Sequence, residues 1–120
     1  MPESIENLEI WQMALEVAKK VYVLTRQWPK EELYGLTSQA RRAATSIPAN
    51  IAEGVGRRTP AEAARFAQIA HGSLYELDTL LFLAADLGYS SHSSVTTLRE
   101  ELTTLAKRTS SFIRYQETQS

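Results

Sequence analysis

The sequence of 120 residues contains no cysteine and only two histidines, His71 and His92. The absence of cysteine excludes disulfide bonds and metal sites built from thiolates. No Glu-x-x-His pair is present, so a carboxylate-bridged metal centre inside a helical bundle is not expected. A Gly-x-Ser-x-Gly turn and a lysine-containing phosphate loop are also absent. These absences argue against an enzyme, and we expect no catalytic residue, metal or cofactor.

Long apolar runs and an excess of one charge are lacking as well. No stretch approaches the ~20 apolar residues that cross a bilayer. The acidic N-terminal segment has neither the basic nor the apolar region of a signal peptide. A net charge of -1 argues against a protein that coats nucleic acid through its overall charge. We therefore expect a single cytoplasmic domain over residues 1–120, with no membrane contact.

The apolar pattern predicts helices and no strands. The expected bounds of the four helices are about 7–28, 36–53, 60–87 and 94–115. Because each connection is short, the prediction is an all-α protein folded as an antiparallel up-down-up-down four-helix bundle. Pro48 has no N–H to donate to the carbonyl of Ala44, so the second helix is expected to kink there or to restart near Ser46.

Residues that favour helix ends support these bounds. Asn7 is a good N-cap for the first helix. Gly54 suits a left-handed C-cap of the second helix, and Gly88 is expected to end the third. Thr59 suits the N-cap of the third helix, with Pro60 at its first position.

Two apolar rows run along the first helix. One row contains Leu8, Trp11, Leu15, Ala18, Tyr22 and Thr25. The other contains Ile10, Ala14, Val17, Val21, Leu24 and Trp28. Together they are wider than the ~100° stripe that a simple surface helix needs. Either this helix is buried over a broad face, or one row packs inside while Val17 and Val21 contact another subunit.

The second helix carries a regular polar row. Its members are spaced by 3, 4, 4 and 3 residues and share one face: Gln39, Arg42, Ser46, Asn50 and Glu53. An apolar row lies beside it, formed by Leu36, Ala40, Ala43, Ile47 and Ile51. Glu76 on the third helix is positioned to reach this polar row. The pattern indicates a polar network between helices, with a ligand site or a contact between subunits as the alternatives.

A row containing two aromatic residues lies on the third helix, away from its core face. His71, Tyr75, Asp78 and Phe82 are spaced by 4, 3 and 4 residues. An outward Tyr and Phe in one line favour a subunit interface over a solvated face.

Arginines cluster in the middle of the sequence. Arg41, Arg57, Arg58 and Arg65 are the candidates for contact with nucleic acid, because guanidinium groups bind phosphates and an oligomer would repeat the patch. The alternative is that these side chains are simply solvated.

Several segments resemble one known family. They include residues 8–14, 28–39, 41–54 and 69–77. The third of these segments contains the run Ser46-Ile47-Pro48-Ala49-Asn50-Ile51-Ala52-Glu53-Gly54, and the fourth contains Gly72-Ser73-Leu74. With a last similarity near residues 87–89, they cover about three quarters of the chain. In these segments the chain resembles the small four helix bundle proteins also called 23S rRNA intervening-sequence proteins.

The resemblance implies a bacterial four-helix bundle that assembles into a homopentameric ring and has no established catalytic residues. It also implies a relation to the accessory variability determinant protein of diversity-generating retroelements, which binds nucleic acid and a reverse transcriptase. This chain differs from that relative because it is not strongly basic. Our leading expectation is therefore a non-enzymatic scaffold or adaptor that self-associates and acts on a nucleic-acid or protein partner, and the alternative is a protein that binds RNA or DNA directly.

Overall fold

The computed structural model describes residues 3–119, and in this part of the chain all regular structure is helical. A short helix α1 (Glu3–Glu6) precedes four long ones, and a 3-10 turn (Lys30–Glu32) follows the first long helix. The long helices are α2 (Glu9–Thr25), α3 (Leu36–Gly56), α4 (Pro60–Asp86) and α5 (His92–Gln119). The prediction of an all-α protein is confirmed.

The four long helices pack as a bundle. The main contacts run from α2 to α3, from α3 to α4, from α4 to α5 and from α5 back to α2. Helices α2 and α4 therefore occupy diagonal corners. Along α3 and α4, Gly54 lies against Phe66 and Ser46 against Ser73, so rising numbers on one helix meet falling numbers on the other. The up-and-down topology of the whole bundle stays a prediction.

Several helix ends differ from the expected ones. Helix α2 begins at Glu9, with Leu8 rather than Asn7 in the cap position. It ends at Thr25, because Trp28 N–H already bonds the Thr25 carbonyl in a tighter turn, at 3.1 Å, and Pro29 follows. Helix α5 extends beyond both of its expected ends, over His92–Gln119.

The connection between α3 and α4 agrees with its sequence prediction only in part. Thr59 caps α4 by accepting a bond from the Glu62 N–H, and Pro60 opens the helix, as predicted. The assignment of Gly54 as the C-cap of α3 is wrong, because α3 continues to Gly56. The left-handed residue of this connection is Arg58, with φ of 69°.

The end of α4 matches its prediction. Gly88 has φ of 82°, a conformation that glycine adopts without steric cost. Its N–H bonds the Ala85 carbonyl at 3.0 Å, and the Tyr89 N–H bonds the Ala84 carbonyl at 2.9 Å. These bonds satisfy carbonyls that the helix end would otherwise leave free.

Helix α3 runs without interruption through Pro48, which is buried. No new helix begins at Ser46, so the proposed restart is wrong. The bend expected from the missing bond to Ala44 stays a prediction.

The core takes one of the two apolar rows of α2. Val17 is 3% exposed and Val21 is fully buried, and both pack with Ile47, Leu77 and other members of the same core. The expectation that Val17 and Val21 contact another subunit is therefore wrong. The other row of α2 is divided: Ala18 and Thr25 are buried, whereas Leu15 and Tyr22 reach the surface.

The loops at one end of the bundle hold each other. Glu32 Oε1 accepts a bond from the Leu36 N–H at 3.0 Å, and Glu32 Oε2 accepts one from the Tyr89 hydroxyl at 2.7 Å. The Leu36 N–H, and then the Tyr89 hydroxyl, lower the pKa of Glu32. Trp28 Nε1 donates to Ser90 Oγ at 2.7 Å. The connection before α3 is thus joined to the connection after α4.

Within residues 3–119 no helix is both long and apolar enough to cross a membrane.

Substitution of Gly54 tests the close approach of α3 to α4. A Cβ at Gly54 would lie 2.8 Å from the Phe66 Cβ and 3.1 Å from the Glu62 carbonyl oxygen, so Gly54→Ala forces the helices apart. We expect a loss of about 1–3 kcal/mol in the free energy of unfolding, measured by urea at one protein concentration. The control is Gly56→Ala in the same helix, where an added Cβ meets nothing within 4 Å. Equal stability of the two variants would contradict the proposed close contact.

Candidate functional site

The polar row of α3 lies at the outer edge of its contact with α4. Ser46 and Asn50 are half-buried there, while Gln39, Arg42 and Glu53 are exposed. Ser46 Oγ lies 2.8 Å from Ser73 Oγ across the two helices. Asn50 Nδ2 donates to the Ser46 carbonyl oxygen at 2.8 Å and to Ser46 Oγ at 2.9 Å. Ser46, Asn50 and Ser73 therefore form a small closed cluster.

The larger network predicted around this row does not form. Within residues 3–119, Gln39, Arg42 and Glu76 make no side-chain hydrogen bond or ion pair. The expectation that Glu76 reaches Arg42, Gln39 or Asn50 is wrong, because Glu76 lies on the solvent side of Ser73 and is exposed. Glu53 bonds Arg57 of its own helix end instead, at 3.1 Å. The short Ser and Asn side chains fill the seam, and the longer ones point outwards.

The row of α4 that contains Tyr75 and Phe82 faces α5. Tyr75 is 62% exposed and Phe82 is 44% exposed, whereas His71 and Asp78 beside them are half-buried. We call these four residues the α4 aromatic row. A groove of about 230 Å³ opens along it, with a floor formed by Leu74, Leu102 and Ala106.

Bonds to α5 hold the α4 aromatic row in place. Arg99 Nε and Nη2 donate to the two Asp78 oxygens at 2.7 and 3.2 Å, and this pairing raises the pKa of Arg99. The Arg99 guanidinium also lies 4.8 Å from the centre of the Phe82 ring. His71 Nε2 lies 3.1 Å from Ser110 Oγ, and the His71 ring meets the Tyr75 ring edge to face, 5.1 Å between centres. The row is thus ordered before any partner arrives.

The Ser110–His71 pair is the arrangement that most resembles catalytic machinery. Hydrolytic triads also need a carboxylate that orients the histidine and free N–H groups that bind the oxyanion. Here both oxygens of Asp78 bond Arg99. Ser110 lies in the middle of α5, where backbone N–H groups bond carbonyls of the same helix. The pair is suited to fixing His71 rather than to attacking a substrate.

The arginines do not form a single patch. Arg41 precedes Arg57 by sixteen residues along α3, about 24 Å at ~1.5 Å per residue. Arg41 Nε donates to Thr25 Oγ1 at 2.9 Å, and its guanidinium lies 4.7 Å from the centre of the Tyr22 ring. It is therefore engaged with the end of α2, and the expectation of one group that includes Arg41 is wrong.

The other three arginines meet at the connection between α3 and α4. Glu62 contacts Arg57 at 3.4 Å and Arg65 at 2.7 Å, and the bond from Arg65 is the main cause of the lowered pKa of Glu62. Both guanidinium groups lie over Phe66, 4.8 and 4.4 Å from the ring centre. Arg58 is exposed beside them. This group is positioned to present cations at one end of the bundle.

Sequence reasoning missed the partners that order these sites. Ser73 lies on α4, but no pattern in the sequence indicates which side chain it meets. Arg99 and Ser110 lie on α5, and the sequence does not indicate the height at which α5 packs against α4. Phe66 is buried, and its position beneath Arg57 and Arg65 depends on the packing of α3 against α4.

Within residues 3–119, no group of three or more His, Asp or Glu side chains is placed so that it could hold a metal ion.

Comparison with known proteins identifies the chain by sequence. A model of the family described as 23S rRNA-intervening sequence protein matches residues 6–111, from just before α2 into the last third of α5. No curated protein matches the chain. The matched stretch contains the cluster around Ser46, the α4 aromatic row and the arginines at the end of α3.

Removal of the Ser46 hydroxyl tests whether its cluster is structural. Ser46→Ala leaves the Asn50 amide and the Ser73 hydroxyl without their shared partner, and we expect a loss of about 0.5–1.5 kcal/mol in the free energy of unfolding. The matched control is Thr45→Ala, because the exposed Thr45 hydroxyl bonds only carbonyls of its own helix, at 3.0 and 3.2 Å. Urea unfolding measures both variants. An unchanged midpoint for Ser46→Ala would show that the cluster does not stabilise the fold.

Proposed function

The chain belongs to the 23S rRNA-intervening sequence protein family, and from that premise we propose that it is a non-enzymatic bundle that assembles with copies of itself. The assembly is a closed ring, a homopentamer as the sequence resemblance implies, and it acts as a scaffold or adaptor for a nucleic-acid or protein partner. The cytoplasm is the compartment expected for it.

The α4 aromatic row is the observation that carries this proposal. Aromatic side chains are enriched in interfaces because they bury a large area at a low cost in conformational entropy. Tyr75 and Phe82 are both exposed to solvent in the single chain, by 62% and 44%. Bonds within the chain already order their neighbours Asp78 and His71. A surface that is both apolar and ordered favours association, since little freedom is lost when a partner covers it.

The same contacts argue for assembly over catalysis. The groove beside the row has an apolar floor, and its charged and hydroxyl groups at Asp78 and Ser110 bond α5 or His71. Because both oxygens of Asp78, the carboxylate that lines this groove, bond Arg99, the Ser110–His71 pair lacks the orienting carboxylate of a hydrolytic triad.

Charged substitutions in the row test the assembly. We expect the wild-type protein to elute as one discrete oligomer. The double variant Tyr75→Glu and Phe82→Glu should have the mass of a monomer, as measured by light scattering. The physical reason is that a carboxylate buried in an apolar contact loses its hydration.

The control for this test is Tyr115→Glu, at a tyrosine that is 61% exposed on α5. It adds one charge at equal exposure and should leave the oligomer intact. Circular dichroism checks that each variant is folded. A monomeric wild-type protein, or a double variant that keeps the full mass, would refute the assignment of the row.

A second candidate function is direct binding of nucleic acid. The observation that favours it is the group formed by Arg57, Arg58 and Arg65. Stacking on Phe66 and the bond to Glu62 hold two of the guanidinium groups in position, and Arg58 is exposed. A ring would repeat this group around its axis. The nearby Glu53 and Glu62 offset part of its charge.

Salt dependence decides whether this group binds phosphates. If the second candidate is right, the affinity for single- or double-stranded RNA falls steeply with added salt, because bound counterions are released. The triple variant Arg57→Gln, Arg58→Gln and Arg65→Gln should then reduce the slope of log affinity against log salt by about 2–3 per chain. Arg114→Gln, on exposed α5 surface, is the control. Absence of binding at low salt would eliminate this candidate.

A further inference from the structure

A second outward apolar surface lies on α2. Tyr22 is 41% exposed and Val23 is 57% exposed, with Leu15 half-buried next to them. They border one shallow depression, together with Lys19 and Arg26. We call these five residues the α2 patch.

A contact with α3 holds part of the α2 patch in place. The Arg41 guanidinium packs on the Tyr22 ring, 4.7 Å from its centre, and Arg41 Nε is itself fixed by the Thr25 hydroxyl at 2.9 Å. Thr25 Oγ1 in turn donates to the Val21 carbonyl at 2.8 Å. Tyr22 is therefore held by Arg41 of the neighbouring helix α3 and still presents part of its ring to solvent. The surface-facing row of α2 is this one, and not the row of Val17 and Val21.

The α2 patch and the α4 aromatic row lie on opposite sides of the bundle. Helix α2 packs mainly on α3 and α5, and α4 packs on the same two helices, so α2 and α4 are diagonal to each other. A single partner of similar size that covers one of these surfaces leaves the other free. A copy that has two different association surfaces on opposite sides can therefore bind two neighbours.

The two surfaces differ in charge. Beside Tyr75 and Phe82, α4 exposes Glu76 and Asp86. Glu76 forms no hydrogen bond or ion pair within residues 3–119. Asp86 Oδ1 lies 3.3 Å from His92 Nε2, and the exposed Lys107 of α5 lines the groove along the row. The α2 patch carries Lys19 and Arg26, and Arg26 likewise forms none within that range. Lys19 bonds only Glu16 of its own helix, at 3.0 Å between exposed groups, a weak pair. The two unpaired charges, Glu76 and Arg26, are opposite in sign, and this favours contact between unlike surfaces over contact of either surface with itself.

We propose that the α4 aromatic row of one copy packs on the α2 patch of the next copy. Such a contact is heterologous, so it repeats from copy to copy and generates a ring when the rotation closes. Tyr75 and Phe82 then meet Leu15, Tyr22 and Val23 of the neighbour, and Glu76 faces the basic edge formed by Lys19 and Arg26. This inference rests on the proposed self-assembly and identifies the two surfaces that build it.

Cysteine crosslinking tests the pairing directly, because the natural chain has no cysteine and gives no background. Lys19→Cys places a thiol at the rim of the α2 patch. Thr79→Cys places one on the exposed side of α4, one turn from Tyr75. Both positions leave the apolar residues unchanged. The two variants are produced with tags of different size, coexpressed, and treated with a short bis-maleimide.

The proposal predicts a covalent dimer that contains one copy of each variant. Lys19→Cys alone and Thr79→Cys alone should remain monomeric on a denaturing gel. The control is Lys30→Cys, in the exposed turn before α3, which should not crosslink to Thr79→Cys. A Thr79→Cys homodimer would overturn the proposal in favour of a symmetric contact between two α4 helices.

Light scattering of the same untreated samples distinguishes a failure of the surface pairing from a failure of self-assembly. An oligomer that gives no mixed crosslink overturns the pairing of surfaces but leaves self-assembly intact. A monomer overturns self-assembly itself, and the pairing with it.

Discussion

The close packing of α3 against α4 is the contact on which the other features of this protein depend. Small residues line it, with Gly54 directly against Phe66 and Ala43 and Ala70 in the same buried core. Small side chains let two helix backbones approach, and only short polar groups then fit along the seam. Ser46 and Ser73 bond there, whereas Arg42 and Glu76 point away from it. The same approach brings Phe66 beneath Arg57 and Arg65 at the end of the helix pair.

Contacts between neighbouring helices also order several surface side chains. Asp78 is paired with Arg99, His71 with Ser110, and Tyr22 is covered on one side by Arg41. Each contact satisfies a polar group and leaves an aromatic ring partly in water. Water-exposed rings carry a cost in hydration free energy that a second copy can relieve. The proposed assembly would therefore use the same hydrophobic effect between bundles that folding uses inside each bundle.

The candidate sites show how far residue spacing can predict a site. Spacing correctly indicated that Ser46 and Asn50 share a face, and that Tyr75 and Phe82 lie outside the core. It could not indicate that Glu76 misses the seam, or that Arg41 bonds Thr25 at the end of α2. Spacing gives the angle of a side chain around its own helix, while these outcomes depend on the height at which two helices meet. Arg99 and Ser110 were overlooked for the same reason.

Local sequence determined the helical class, the capped start of α4 at Thr59 and its end at Gly88, because these depend on backbone geometry and neighbouring residues. It also determined family membership, since the family is recognised by sequence over residues 6–111. Tertiary structure alone decided which row of α2 is buried: Val17 and Val21 face the core, and Leu15 and Tyr22 reach the surface. Both rows are apolar and fit a helix equally well. The choice between them requires the rotation of α2 about its axis, which is set by how its side chains fit against α3 and α5 together.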